Sequence, residues 1–175
     1  ISALDVSLRV GMMDLILDLQ ETFETSYVFI SHDLANARYL AKRAGGRIGI
    51  MYLGELVEIG PPDEILQNPS HPYTKVLRWS TPTVDPDIAR KRINEEPPVR
   101  QVDVPDPEDP PSGCKFHTRC PEAREVCTRE EPELYDDGGT EASCFRAVAD
   151  HEYWNSEELE TPEDGFGSAE IGADD

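Results

Sequence analysis

Basic charge is scarce in this 175-residue chain. Lysine and arginine total 16 against 36 aspartates and glutamates, a formal net charge of −20. So acidic a surface repels nucleic-acid backbones and anionic lipid headgroups, which argues against both as direct partners. No run of 18 or more apolar residues occurs, so nothing in the sequence reads as a membrane-spanning helix. No basic leader followed by an apolar stretch marks a secretory signal. The sequence opens Ile1-Ser2-Ala3-Leu4-Asp5, without Met. Processing would account for that, but the motifs below favour a truncated fragment. Lysine itself is rare, four residues against twelve arginines. Such a balance suits a high-salt cytoplasm, and an acidic tail is the simpler reading.

The charge is unevenly spread. Residues 1–80 hold 10 acidic and 7 basic residues, whereas residues 81–175 hold 26 and 9. The first zone, 1–80, reads as the back half of an α/β domain. Val6, Val10, Met13, Ile16, Leu17 and Leu19 recur at helical spacing, which predicts a helix over 6–22. Tyr27-Val28-Phe29-Ile30 is a short apolar run without alternation, which predicts a strand buried on both faces of a parallel sheet. Asp33 caps a second helix from Leu34 to Ala44, closed by Gly45-Gly46. Ile48–Met51 and Leu56–Ile59 form a hairpin through Leu53-Gly54. A short helix runs from Pro61-Pro62-Asp63 to Gln67, and a last one from Tyr73 to Ser80. Tyr73 and Trp79 read as packing residues and His71 as a turn residue.

The second zone, 81–111, carries 8 of the 15 prolines and reads as an extended linker or strap. The third, 112–148, holds all four cysteines. The fourth, 149–175, is acidic and poor in apolar residues, which predicts disorder and gives His151 no role.

His32 stands between the apolar run and the next helix, at the carboxyl end of a predicted strand. Ligands collect there in open α/β sheets, and an imidazole can hold a water or touch a phosphate oxygen. The residues around it resemble the rear half of an ABC transporter ATP-binding subunit. Ser2-Ala3-Leu4-Asp5 matches the D-loop, and Phe29-Ile30-Ser31-His32-Asp33-Leu34 matches the switch-histidine segment. Met51 to Gly60 matches the strand pair that follows. Asn68-Pro69-Ser70-His71-Pro72-Tyr73-Thr74 resembles a motif of the oligopeptide and dipeptide importer branch.

The resemblance implies ATP and Mg2+ as cofactors and His32 as a catalytic group that contacts the γ-phosphate and orients the attacking water. It implies that Ser2 and Asp5 serve the nucleotide at a subunit interface; Asp5 read as a helix cap is compatible with that. Implied partners are a second ATP-binding subunit, membrane permease subunits and, indirectly, an extracytoplasmic substrate-binding protein. The implied location is peripheral, at the cytoplasmic face of the membrane. The sequence departs from the family in having no G-x-x-x-x-G-K-[ST] loop, no signature segment and no Glu before Ser2. A C-terminal fragment, inactive alone, explains all three.

Cys114, Cys120, Cys127 and Cys144 are spaced C-x5-C-x6-C-x16-C. Disulfides need an oxidising compartment, which nothing here indicates. Structural zinc usually brings close cysteine pairs, which are absent. Four thiolates at looser spacing also suit an iron–sulfur cluster. Four unrelated buried thiols are the remaining reading, against which stands their clustering in a segment that needs a staple to fold. The stretch Pro110 to Pro121 extends the peptide-importer resemblance, which implies a [4Fe–4S] cluster on the four cysteines, with zinc as the alternative. On that resemblance Phe116 packs against the parent domain. His117 is a loop residue or a substitute ligand, and Arg119 and Arg124 are ordinary solvated arginines. The rival to the transporter reading is a non-catalytic iron–sulfur or zinc module with a regulatory or redox-sensing role.

Overall fold

The computed structural model describes residues 5–83, 85–100 and 102–160. Helix α1 spans Val6–Phe23, and Asp5 caps it by accepting the Leu8 N–H at 2.9 Å. Helix α2 spans Leu34–Arg43, with Asp33 accepting the Ala35 and Asn36 N–H groups. The two helices are tied by the Arg9–Asp33 ion pair at 3.5 Å and by the Tyr39 hydroxyl, which donates to Asp14 at 2.5 Å.

Strands β1 (Ile48–Tyr52) and β2 (Glu55–Gly60) pair antiparallel. Leu53 and Gly54 turn the chain between them, both at positive φ (45° and 82°), as the twist of a two-residue hairpin requires. Helices α3 (Pro62–Gln67) and α4 (Pro72–Ser80) follow, each with Pro at its start, where a missing N–H costs nothing.

The sheet does not end there. Strands β3 (Tyr135–Asp136) and β4 (Glu141–Ala142) form a second hairpin, and β4 lies beside β2 with Glu58 opposite Ala142. The order is β1-β2-β4-β3. The main core is also shared, with Ile48, Ile50, Tyr52 and Ile65 packing on Phe116 and Cys120. Phe116 is 1% exposed and lies edge-on to Tyr52, ring centroids 5.2 Å apart. A second cluster joins Val126 and Cys127, on helix α6 (Val126–Arg129), to Phe145 and Tyr153. Sheet and core thus both run across the boundary between the first and third zones. The cysteine segment does not stand apart, because its strands and its largest buried ring belong to the hairpin's sheet and core.

Several expectations are corrected. Tyr27–Ile30 forms no strand, and Val28 and Ile30 are 92% and 90% exposed. A strand buried on both faces needs neighbours on both sides, and among the described residues none lies beside this segment. The proline-rich zone is not extended throughout. Pro86–Ile93 forms helix α5, capped by Asp85, because Pro86 occupies its first turn and no proline follows until Pro97. Arg92 then fastens α5 to the end of α4 by donating to the Trp79 and Thr81 carbonyls at 3.0 and 2.7 Å.

The acidic tail is ordered at its start, with a 3₁₀ turn over Glu152–Asn155 and Tyr153 buried. Arg124 explains this order and is no free surface arginine. It donates to the Tyr153, Trp154 and Ser156 carbonyls at 3.2, 3.2 and 2.9 Å, pairs with Glu158, and sits 5.0 Å from the Tyr153 ring centroid. His151 likewise has a place, its Nδ1 accepting the Tyr153 N–H at 3.0 Å and its ring stacked on Phe145 at 4.2 Å. The rest of the tail, 161–175, lies outside the described residues.

Candidate functional site

Two groups of sequence-predicted residues lie in different parts of the fold. At the first, Ser2 lies outside the described residues. Asp5 serves as the α1 cap, and His32 is exposed in the connection leading to α2. The Arg9–Asp33 ion pair sets the N-termini of α1 and α2 side by side, which brings Asp5 and His32 to the same end of the pair. The sequence contains no phosphate loop to complete the site. Long apolar side chains line this part of the fold. Leu8, Met12, Leu15, Leu19 and Phe23 form a helical stripe on α1 that faces outward, continued by Tyr27–Ile30. Only Met13 of α1 is fully buried among the described side chains.

The second group is the four cysteines. Cys114 follows Gly113, whose φ of +68° turns the chain so that the Cys114 N–H donates to the Cys127 carbonyl at 2.9 Å. A tight turn then carries Phe116 into the core and brings Cys120 back, its N–H donating to the Phe116 carbonyl at 2.9 Å. Cys127 lies on α6, and Cys144 opens the short 3₁₀ turn over Phe145–Ala147. All four thiols line one small cavity, together with His71 and His117. Its volume is about 20 Å³, room for roughly one water. None of the four is in a disulfide.

Burial dominates the chemistry of these thiols. It pushes Cys114 up to about 12 and Cys144 up to about 11, and raises Cys120 and Cys127 as well. They also raise one another, Cys114 feeling Cys144 and Cys127, and Cys120 feeling Cys144 and Cys114. The sign of the pH effect follows. An unfolded thiol ionises near 9, but the folded chain holds these protons until about 11–12. Stability contributed by the neutral thiols is complete below about pH 9 and is lost as pH rises through that window. Urea midpoints in reducing buffer are therefore expected to fall between about pH 8 and about pH 10. An unchanged midpoint would mean that the cysteines are not buried as described.

The geometry supports neither metal expectation. Among the described residues no three His, Cys, Asp or Glu side chains are placed to hold one metal ion. The expected zinc is thereby unsupported, since a structural zinc draws four donors onto a single point. A four-iron cluster takes one cysteine per iron and spreads its ligands apart. Four cysteines line the cavity, but its 20 Å³ is far less than a four-iron cluster fills, and each thiol would have to lose a proton to ligate.

One buried constellation was not foreseen. Glu58 is 0% exposed on β2, and its carboxyl accepts the Ser70 N–H at 2.8 Å, the His71 N–H at 3.1 Å and the Thr140 hydroxyl at 3.0 Å. It ties β2, the entry to α4 and the β3–β4 turn together. Its signal was a charge inside the run Leu56-Val57-Glu58-Ile59, where a strand facing two layers takes only apolar or fully satisfied groups. His71 is more than a turn residue. It is 1% exposed, its Nδ1 caps α4 by accepting the Tyr73 N–H at 3.1 Å, and burial, with the charge of Lys75 second, lowers it to about 3. His117 is half-buried, with its Nδ1 2.8 Å from the Cys114 carbonyl oxygen.

Known proteins resemble this arrangement in sequence. The family described as "Oligopeptide/dipeptide transporter, C-terminal region" matches residues 57–127. The Di/tripeptide transport ATP-binding protein DppF of Pseudomonas aeruginosa is 46% identical over 133 residues, covering 76% of this chain and 38% of that protein. The Dipeptide transport ATP-binding protein DppF of Escherichia coli is 42% identical over 150 residues, covering 86% and 42%. The Oligopeptide transport ATP-binding protein AppF of Bacillus subtilis is 41% identical over 155 residues, covering 87% and 43%. The chain thus spans about two-fifths of the length of the curated relatives it matches. The chain is similar to oligopeptide and dipeptide transport ATP-binding proteins, and its residues 57–127 match the C-terminal region of that transporter family.

Proposed function

We propose that this chain is part of an ATP-hydrolysing subunit that powers the import of oligopeptides or dipeptides through an ABC transporter. The observation that carries the reading is the outward apolar face of α1 and Tyr27–Ile30, beside Asp5 and His32, in a chain similar to ATP-binding proteins. An exposed stripe of this size asks for cover. A larger ATPase domain supplies it, and with it the neighbours that turn Tyr27–Ile30 into a buried strand with His32 at its end. In that setting His32 contacts the γ-phosphate of ATP bound with Mg2+ and orients the attacking water. Asp5 and Ser2 serve the nucleotide at the interface with a second ATP-binding subunit. The subunit works beneath membrane permease subunits, peripheral to the cytoplasmic face, and the peptide reaches them from a substrate-binding protein. Among the described residues no helix is long and apolar enough to cross a membrane.

The 175 residues contain no phosphate loop, so ATP turnover is expected only from an assembly that provides one. In such an assembly His32→Ala is expected to lower steady-state ATP turnover about 100-fold, while nucleotide affinity changes little. Turnover within twofold of the parent would remove His32 from the reaction.

A second reading concerns the cysteine cavity. What supports a [4Fe–4S] cluster there is the donor number alone, four cysteines lining one space at one per iron. Anaerobic reconstitution with iron and sulfide is expected to load about four irons per chain and to give broad visible absorption. Iron below about one per chain would end that reading.

A further inference from the structure

The segment after His151 is held to the fold largely through its main chain. It runs antiparallel to residues 123–126. The Glu125 N–H donates to the Glu157 carbonyl at 2.9 Å, the Leu159 N–H donates to the Ala123 carbonyl at 3.0 Å, and Arg124 bridges to Glu158 between them. The Arg124 guanidinium holds the Tyr153, Trp154 and Ser156 carbonyls, and the Arg100 guanidinium, from the proline-rich zone, holds the Leu159 carbonyl at 2.5 Å. Two apolar side chains anchor the segment. Leu159 packs on the main core, and Tyr153, 4% exposed, packs with Val126, Cys127 and Phe145. The Tyr153 hydroxyl donates to the Glu122 carbonyl at 2.7 Å, and its ring lines the cysteine cavity. Burial pushes that hydroxyl up to about 12; Arg146 opposes the shift, and Cys144 and Cys127 add to it. Cys120 lies elsewhere, in the main core with Phe116 and Ile65.

We propose that residues 153–159 form a flap that closes the cysteine cavity and opens as a unit, admitting small electrophiles to Cys127 and Cys144 while Cys120 stays covered. The energetics favour opening here before anywhere deeper. Trp154, Asn155, Glu157 and Glu158 are exposed, so water replaces most of the flap's hydrogen bonds as it lifts. The Arg124–Glu158 ion pair adds little, because Glu158 is 82% exposed. The main cost is the burial of Tyr153 and part of Leu159. Ala149 and Asp150, both exposed, join the flap to the turn over Phe145–Ala147 and leave room for a hinge. Opening also changes the chemistry of the thiols. Burial pushes Cys144 up to about 11, and water entering under a lifted flap lets the thiol ionise nearer its ordinary value. Reactivity therefore appears with opening and disappears on closure. The flap requires neither the transport reading nor the cluster reading.

The test uses the full 175-residue chain, reduced and metal-free, alkylated with iodoacetamide at neutral pH and read cysteine by cysteine by peptide mass spectrometry. Tyr153→Ala removes the buried anchor and leaves the Arg124 and Arg100 clamps on the main chain. Cys127 and Cys144 are expected to react about 100-fold faster than in the parent, with Cys120 within about threefold of its parent rate. In the parent itself, urea below the unfolding transition is expected to speed Cys127 and Cys144 with under about half the slope seen at Cys120, because lifting a flap exposes far less surface than unfolding the core. Rates at Cys127 and Cys144 within about threefold of the parent in Tyr153→Ala would overturn the flap. Equal acceleration of Cys120 would overturn it too, since the whole fold would then have loosened. Should Tyr153→Ala fail to fold, the parent's urea slopes decide alone: equal slopes at the three cysteines mean that these thiols open only with the entire core, and the proposal falls.

Discussion

Glu58→Ala is expected to destabilise the chain by about 4 kcal/mol. The carboxyl of Glu58 is fully buried and is the shared acceptor for the Ser70 N–H, the His71 N–H and the Thr140 hydroxyl. Each orphaned buried donor costs about 1–3 kcal/mol, because the methyl left behind admits no water to replace the oxygen. The Thr140 hydroxyl recovers part of its loss, since the Ser70 hydroxyl stands 3.1 Å away. The two backbone N–H groups have no such recourse. Glu58→Gln keeps one acceptor oxygen and is expected to lose about 2 kcal/mol, roughly half as much. Urea unfolding followed through Trp79 and Trp154 measures both. A loss under about 1 kcal/mol for Glu58→Ala would show that water reaches the site and that the network does not join β2 to β4.

Gly113→Ala is the second large effect, expected at about 3–5 kcal/mol. Its φ of +68° already disfavours a side chain. Strain is the smaller part. A Cβ there meets the Cys127 carbonyl oxygen at 2.5 Å, the Thr128 carbonyl carbon at 2.7 Å and the Arg129 nitrogen at 3.0 Å. All three are backbone atoms of α6 and its exit, so no side chain can swing aside. The chain must open the Cys114-to-Cys127 hydrogen bond to relieve the clash, and the cavity opens with it. Alkylation of the four thiols at neutral pH is expected to quicken together with the fall in stability, since burial holds them protonated. Unchanged thiol reactivity in Gly113→Ala would separate this turn from the cavity.

Local rules read from the sequence reached most of the first 80 residues. Asp5 and Asp33 as caps, the Leu53-Gly54 hairpin and the helix starts at Pro62 and Pro72 depend on contacts within a few residues, so their sequence carries the whole signal. Tyr27–Ile30 is the instructive miss. Its residues suit a strand, but strand structure is a property of the pair, and the partner is not among the described residues. Helix α5 was hidden by the prolines around it, although Pro86 in a first turn favours a helix. Arg124 was unreadable, because its partners lie about thirty residues downstream and are backbone carbonyls, which leave no mark in sequence.

The candidate sites divide the same way. His32 and the four cysteines are visible because their residue types and neighbours are distinctive. Glu58 and His71 are common residues whose roles appear only when a strand, a helix start and a distant turn meet around them.

The sequence by itself determined the acidic balance, the caps and turns, the four-cysteine pattern and the likeness to peptide-transport ATP-binding proteins. Each is composition, spacing or short-range geometry. Only the tertiary structure decided that the cysteine segment adds strands β3 and β4 to the hairpin's sheet and seats Phe116 in its core. It alone decided that four thiols and a buried imidazole face one cavity. Those outcomes depend on groups 13 to 82 residues apart in the chain, such as Glu58 with His71 and with Thr140, and pairings over that distance are fixed by packing and not by local pattern.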